Sequence, residues 1–148
     1  FMDSKGYSLV EMIMVIFLIG MLGSFVEVGS KLLMEAKFQA TVTEVERGLN
    51  MARQMAVGTG RQYNVLCIGN RVLIRRSIEE PLHRIYGGQS MQLSCSTSDK
   101  LILFDGHAAP SKAGTITVKH KGLKKQARIT VRIATGKTTV YIEPLLRK

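Results

Sequence analysis

An α+β fold is the reading this sequence supports, with one long N-terminal helix followed by an antiparallel β-domain. Three features carry it. The run from Met12 to Val26 holds no charge and is apolar or small throughout. Beyond it, Phe38, Val42, Val45, Leu49, Ala52 and Ala56 recur at spacings of three and four, which places them on one face of a helix. After Gly60 the period changes from that of a helix to the two-residue alternation of strands.

The apolar run extends from Gly6 to Val28 and carries one early carboxylate, Glu11. As helix, Tyr7 to Val28 covers roughly 33 Å, enough to cross a bilayer core. A secretory signal would be shorter and would be followed by a small-x-small cleavage site, and none follows here. A plain anchor would leave Glu11 unexplained, because a carboxylate in lipid is costly and calls for a partner. Residues 1–6 read as a short leader, with Lys5 assigning the N-terminus to the cytoplasmic side. Residues 7–28 read as the membrane half of the helix and residues 29–58 as its outer half, roughly fifty residues in all. Gly58-Thr59-Gly60 supplies the stop.

Residues 61–148 read as the β-domain. Tyr63, Val65 and Cys67 alternate with Gln62, Asn64 and Leu66, and Gly69-Asn70 turns the chain into Val72–Ile74. Shorter strands are expected at Arg84–Tyr86, Met91–Cys95 and Leu101–Phe104, with a loop from Asp105 to Ala113. Strands at Thr115–Lys119, Arg128–Ile133 and Thr138–Ile142 close the chain, joined by turns at Lys121-Gly122 and Thr135-Gly136. A sheet-rich domain of this size needs a helix or second sheet to cover its apolar face, and the stripe from Phe38 to Ala56 is the obvious cover. The expected outline is a lollipop, its helix half packed on the β-domain.

Composition bounds the function. Apolar residues make up 45% and charged residues 22% of the chain, which suits a folded domain better than a disordered one. Residues 47–148 carry eighteen Lys/Arg against five Asp/Glu, a net of +13. Such a domain meets polyanions (nucleic acid, anionic lipid or acidic cell-wall polymer), or else keeps its charge for solubility. Ten Lys/Arg and one acid fall between Lys112 and Lys148. Among them Lys119, Lys121, Lys124, Lys125, Arg128, Arg132 and Lys137 bracket the final hairpins and form a candidate surface for weak, non-specific DNA contact.

Catalytic patterns are lacking. His83, His107 and His120 have no ligand spacing; Asp99, Asp105 and His107 flank a strand and read as loop residues before a metal site. There is no phosphate loop and no nucleophile elbow, so neither an enzyme nor a cofactor is expected. Cys67 and Cys95 make no metal motif. They are either two buried thiols or a disulfide, meeting across the sheet if their strands are neighbours.

Gly6-Tyr7-Ser8-Leu9-Val10-Glu11 before a long apolar helix resembles the class III signal of type IV pilins and pseudopilins. The resemblance implies cleavage between Gly6 and Tyr7 by a prepilin peptidase and N-methylation of Tyr7. Glu11 is then the fifth residue of the mature chain, positioned to neutralise the new amino terminus of a neighbouring subunit. Ala52-Arg53, Ala56-Val57, Val65-Leu66-Cys67, Ala113 to Val118 and Ile129 to Lys137 are similar to minor pseudopilins of the GspH/FimT group. The short leader and Met-rich helix are similar to Gram-positive competence pseudopilins. The GspH/FimT group often has an arginine pair in the final hairpin, where this chain has Lys137-Thr138-Thr139. The resemblance implies a single-pass membrane protein whose β-domain lies outside the cytoplasm and which enters an extracellular filament. Its partners would be other pilin or pseudopilin subunits, the peptidase, the membrane and DNA. The function implied is DNA uptake, with a type II secretion pseudopilin that has no nucleic-acid role as the alternative.

Overall fold

The structure, a computed structural model, describes residues 8–107 and 109–145. Gly6 and Tyr7, at the expected cleavage point, lie outside them. A helix, α1, runs from Leu9 to Thr59 over 51 residues. It begins at Ser8, whose hydroxyl oxygen accepts the Val10 amide at 3.3 Å and satisfies one of the open donors of the first turn. It ends where Gly60 adopts a φ of 63°, the left-handed conformation of a C-terminal cap.

The chain divides into two compact units, at Glu35/Ala36. In the first unit the described residues form helix only, and those from Ser8 to Met34 are all exposed. Among the described residues the second unit holds the rest of α1 and nine strands.

Those strands form two antiparallel sheets. The first contains β1 (Tyr63–Ile68), β2 (Arg71–Arg76), β3 (Pro81–Tyr86), β5 (Leu101–Phe104) and β6 (Pro110–Lys112), in the order β3-β2-β1-β5-β6. The second contains β4 (Met91–Cys95), β7 (Thr115–His120), β8 (Lys125–Val131) and β9 (Thr138–Pro144), in the order β4-β7-β8-β9. Several boundaries differ from expectation. Pro110–Lys112, expected as loop, pairs with Leu103 and Phe104 across a bulge; at three residues it is too short to show a period. Pro81 opens β3 three residues early, at a sheet edge that tolerates its missing N–H. Lys125 and Gln126 open β8 before Arg128 because they pair with His120 and Lys119, while Ile133 falls in the following turn and is exposed.

The core forms where both sheets meet the helix. Phe38, Val42, Val45, Leu49, Ala52 and Ala56 are all buried, joined by Thr41 and Gly48 from the same face. Facing them are Val65, Val72, Ile74, Ile85, Ile102 and Phe104 from the first sheet, and Leu93, Ile116, Val118, Ala127, Ile129 and Val131 from the second. Inward residues alternate along β1, β7 and β8, as a pleated strand with one wet face requires. Gly48 lets the helix approach closely: a Cβ there would stand 2.8 Å from Ile74 Cδ1 and 3.2 Å from Ile85 Cδ1.

Candidate assembly helix and a divided basic surface

Glu11 lies in the first turn of α1, where a carboxylate is favoured by the helix dipole. With Ser8 it has the S-x-x-E spacing of a capping box, and the Ser8 hydroxyl takes the Val10 amide. From Met12 the helix shows apolar side chains on every face, Phe17 71% and Phe25 63% exposed among them. A helix apolar all round is stable only inside a large core, in lipid or against other helices. Its most apolar 18-residue window has none of its residues buried within the chain.

Cys67 on β1 and Cys95 on β4 are joined as a disulfide, with Cα atoms 6.1 Å apart. Their strands are not neighbours in one sheet, which corrects the cross-strand expectation: the bridge links the two sheets. Asn70, at the end of the same β1–β2 hairpin, makes a second link. Its Nδ2 donates to the carbonyls of Gly87 (2.8 Å) and Met91 (2.9 Å), and its Oδ1 accepts the Leu93 amide at 2.7 Å. The sequence had offered Asn70 only as a turn residue.

The expected basic surface is divided. His120 ends β7 beside Phe38, their rings edge-on with centroids 6.3 Å apart. At the other end of the sheet the Thr138 hydroxyl donates to Asn50 Oδ1 at 3.2 Å. Phe38 and Asn50 are twelve residues apart on the helix, roughly 18 Å. The second unit therefore has a Phe38 end and an Asn50 end. Lys121 and Lys124 are exposed in the turn after His120, at the Phe38 end. Arg132 and Lys137 are exposed in the β8–β9 turn, at the Asn50 end. Lys119 and Arg128 lie between, on the outer face of the second sheet. Lys125 has the parity of Ala127 and Ile129, so it does not share the face of Arg128. Arg128 is also partly neutralised, its Nη1 lying 3.4 Å from Glu143 on β9. One continuous patch is thus replaced by two separate clusters.

Other charged groups are paired. Arg76 meets Glu79 at 2.5 Å. Their hydrogen bond holds the Glu79 carboxyl below the ordinary carboxylate range, on a surface pair that salt screens. His83 stands 3.5 Å from Glu44 on the helix, and Lys112 pairs with Asp99. Among the described residues no cluster of His, Cys, Asp or Glu could hold a metal ion. His120, 1% exposed, is a core residue whose Nδ1 accepts the Leu123 amide at 3.1 Å. Its place at the inward positions of β7, after Ile116 and Val118, was the signal that could have found it.

No known family and no curated protein matches the sequence. Solved structures do resemble it. The type IV minor pilin FimU of Pseudomonas aeruginosa is 16% identical with a TM-score of 0.58, the match covering 75% of this chain and 91% of that one. The minor pseudopilin EpsH of the type 2 secretion system of Vibrio cholerae is 11% identical with a TM-score of 0.54, covering 72% of this chain and 95% of that one. At these identities the likeness is one of fold: a long N-terminal helix packed on antiparallel sheets, the pilin-like arrangement.

Proposed function

We propose that the chain is a minor pilin or pseudopilin, a structural subunit of a type IV-like filament and not an enzyme. The observation that carries this reading is the contrast within α1. Its first part is exposed and uncharged from Met12 to Val26, while its second part, from Phe38 to Ala56, serves as core for two sheets. Stored in a membrane as a single-pass protein, with the β-domain outside the cytoplasm, the first part is covered by lipid; in an extracellular filament, other subunits' helices replace the lipid. Cleavage after Gly6 by a prepilin peptidase would create an amino terminus at Tyr7, four residues before Glu11. Each is a charge that is expensive in an apolar bundle unless paired, and neighbouring subunits can supply the pair.

Glu11→Gln tests this, because glutamine keeps the S-x-x-E/Q capping pattern while removing the charge. The variant should enter the membrane and fold as the wild type does, yet be largely lost from sheared filaments. Incorporation at the wild-type level would remove the pairing role.

The finer reading is a filament for DNA uptake in natural transformation. Arg132 and Lys137, exposed at the Asn50 end, support weak contact with phosphates and no sequence preference. The other reading is a secretion pseudopilin with no nucleic-acid role.

A further inference from the structure

The Phe38 end of the second unit is formed by three chain segments: the β1–β2 turn, the Gly87–Ser90 loop and the β7–β8 turn. Asn70 bonds to Gly87 and Met91, and the Lys121 amide donates to the Ser90 carbonyl at 3.3 Å, so the three are fastened together. The β7–β8 turn is braced further. Leu123 donates to His120 Nδ1, the Lys124 amide to the Lys121 carbonyl at 3.3 Å, and Leu145 to the Lys124 carbonyl at 2.7 Å. Lys124 holds a φ of 50°, a conformation costly for a side-chain-bearing residue without such bracing. From Gly69 to Arg71, Gly87 to Ser90 and His120 to Lys124 these segments contain no carboxylate. They carry Arg71, stacked 5.4 Å over the Tyr86 ring, together with Lys121 and Lys124, all exposed. The turn at the Asn50 end of the first sheet differs: between β2 and β3 it mixes Arg76 with Glu79 and Glu80.

Position along the chain decides what this cationic end meets. Val28 precedes Phe38 by ten residues of helix, about 15 Å of rise, and the head-group layer occupies roughly 5–7 Å of that. Along the chain, the Phe38 end is the part of the second unit nearest to the proposed span. Anionic head groups act over a Debye length of about 8 Å at physiological salt. We propose that Arg71, Lys121 and Lys124 form a docking surface for anionic phospholipid head groups, engaged while the subunit is stored in the membrane. The proposal rests on the reading of α1 as a membrane span. It also gives these lysines work distinct from that of Arg132 and Lys137, which lie at the opposite end.

The test uses the full chain in nanodiscs of neutral phosphatidylcholine, or of phosphatidylcholine with phosphatidylglycerol. Lysine labelling by an uncharged amine reagent is read residue by residue by mass spectrometry. Lys121 and Lys124 should label about fivefold more slowly over the anionic lipid, with the difference fading at high salt and Lys137 unchanged. In Lys121→Gln/Lys124→Gln, protection of Arg71 against phenylglyoxal should fall as well. A chain that inserts but labels equally in both lipids overturns the docking surface. Protection of Lys121 and Lys124 by added duplex DNA over neutral lipid overturns it in favour of nucleic acid. A chain that fails to insert overturns the span itself, and is recognised separately by its absence from the nanodisc fraction.

Discussion

Gly48 shows how one missing side chain sets the distance between a helix and a sheet. Because a Cβ there would meet the Cδ1 atoms of Ile74 and Ile85, a branched residue must push both aside. Gly48→Val should cost about 1–3 kcal/mol as overpacking. Gly58 is helical too, but a Cβ there meets nothing within 4 Å. Gly58→Ala should therefore stabilise by up to about 1 kcal/mol through helix propensity alone. Urea unfolding of the two variants checks the pair, and equal effects would mean the close approach at Gly48 does not constrain the packing. In the sequence Gly58 read as part of the helix stop, and nothing local marked Gly48 as a glycine needed for clearance. His120 and Asn70 were hidden in the same way. Their roles depend on partners far along the chain: Phe38 for one, Gly87 to Leu93 for the other.

Elements were legible where a period ran long enough. The stripe from Phe38 to Ala56 named six of the eight buried helix residues, and Thr41 and Gly48 were missed because neither is a conspicuous apolar residue. The β1–β2 hairpin was readable from its alternation and its Gly69-Asn70 turn, whereas β6 was not, having three residues and no alternation. What no local pattern could supply was the division into two sheets, because strand order depends on pairings such as β4 with β7, about twenty-five residues apart. That division gives the disulfide its mechanical meaning. Cys67–Cys95 closes a separation of 28 residues and fastens edge strand β4 to the other sheet. Replacing both cysteines by alanine should cost about 2–4 kcal/mol in denaturant unfolding. The loss should be accompanied by faster amide exchange in β4 than in β8, which has strands on both sides. Uniformly faster exchange across both sheets would mean that the bridge stabilises the whole unit and not this edge.

At the scale of the molecule, charge that composition presents as a single excess is resolved into two ends. Sequence reasoning grouped seven cations because they are close in the chain, but β8 separates Lys121 and Lys124 from Arg132 and Lys137 by seven strand residues, roughly 23 Å. The DNA reading can therefore be tested against a control in the same chain. In neutral nanodiscs at low salt, Arg132→Gln/Lys137→Gln should weaken retention of duplex DNA severalfold, while Lys121→Gln/Lys124→Gln leaves it nearly unchanged. The reverse pattern would move the nucleic-acid contact to the Phe38 end. Equal, negligible binding by all three proteins would leave the secretion reading. None of this bears on the filament claim itself, which depends on the first unit. The Gly6–Glu11 motif and the exposed apolar helix after it were both legible in the sequence, since each is a local pattern. The most direct measurement is intact-mass and N-terminal peptide mass spectrometry on protein recovered from sheared filaments of a strain with active prepilin peptidase. The account predicts a chain beginning at N-methylated Tyr7 within those filaments. A chain confined to the membrane fraction, with residues 2–6 still attached to Tyr7, would contradict it.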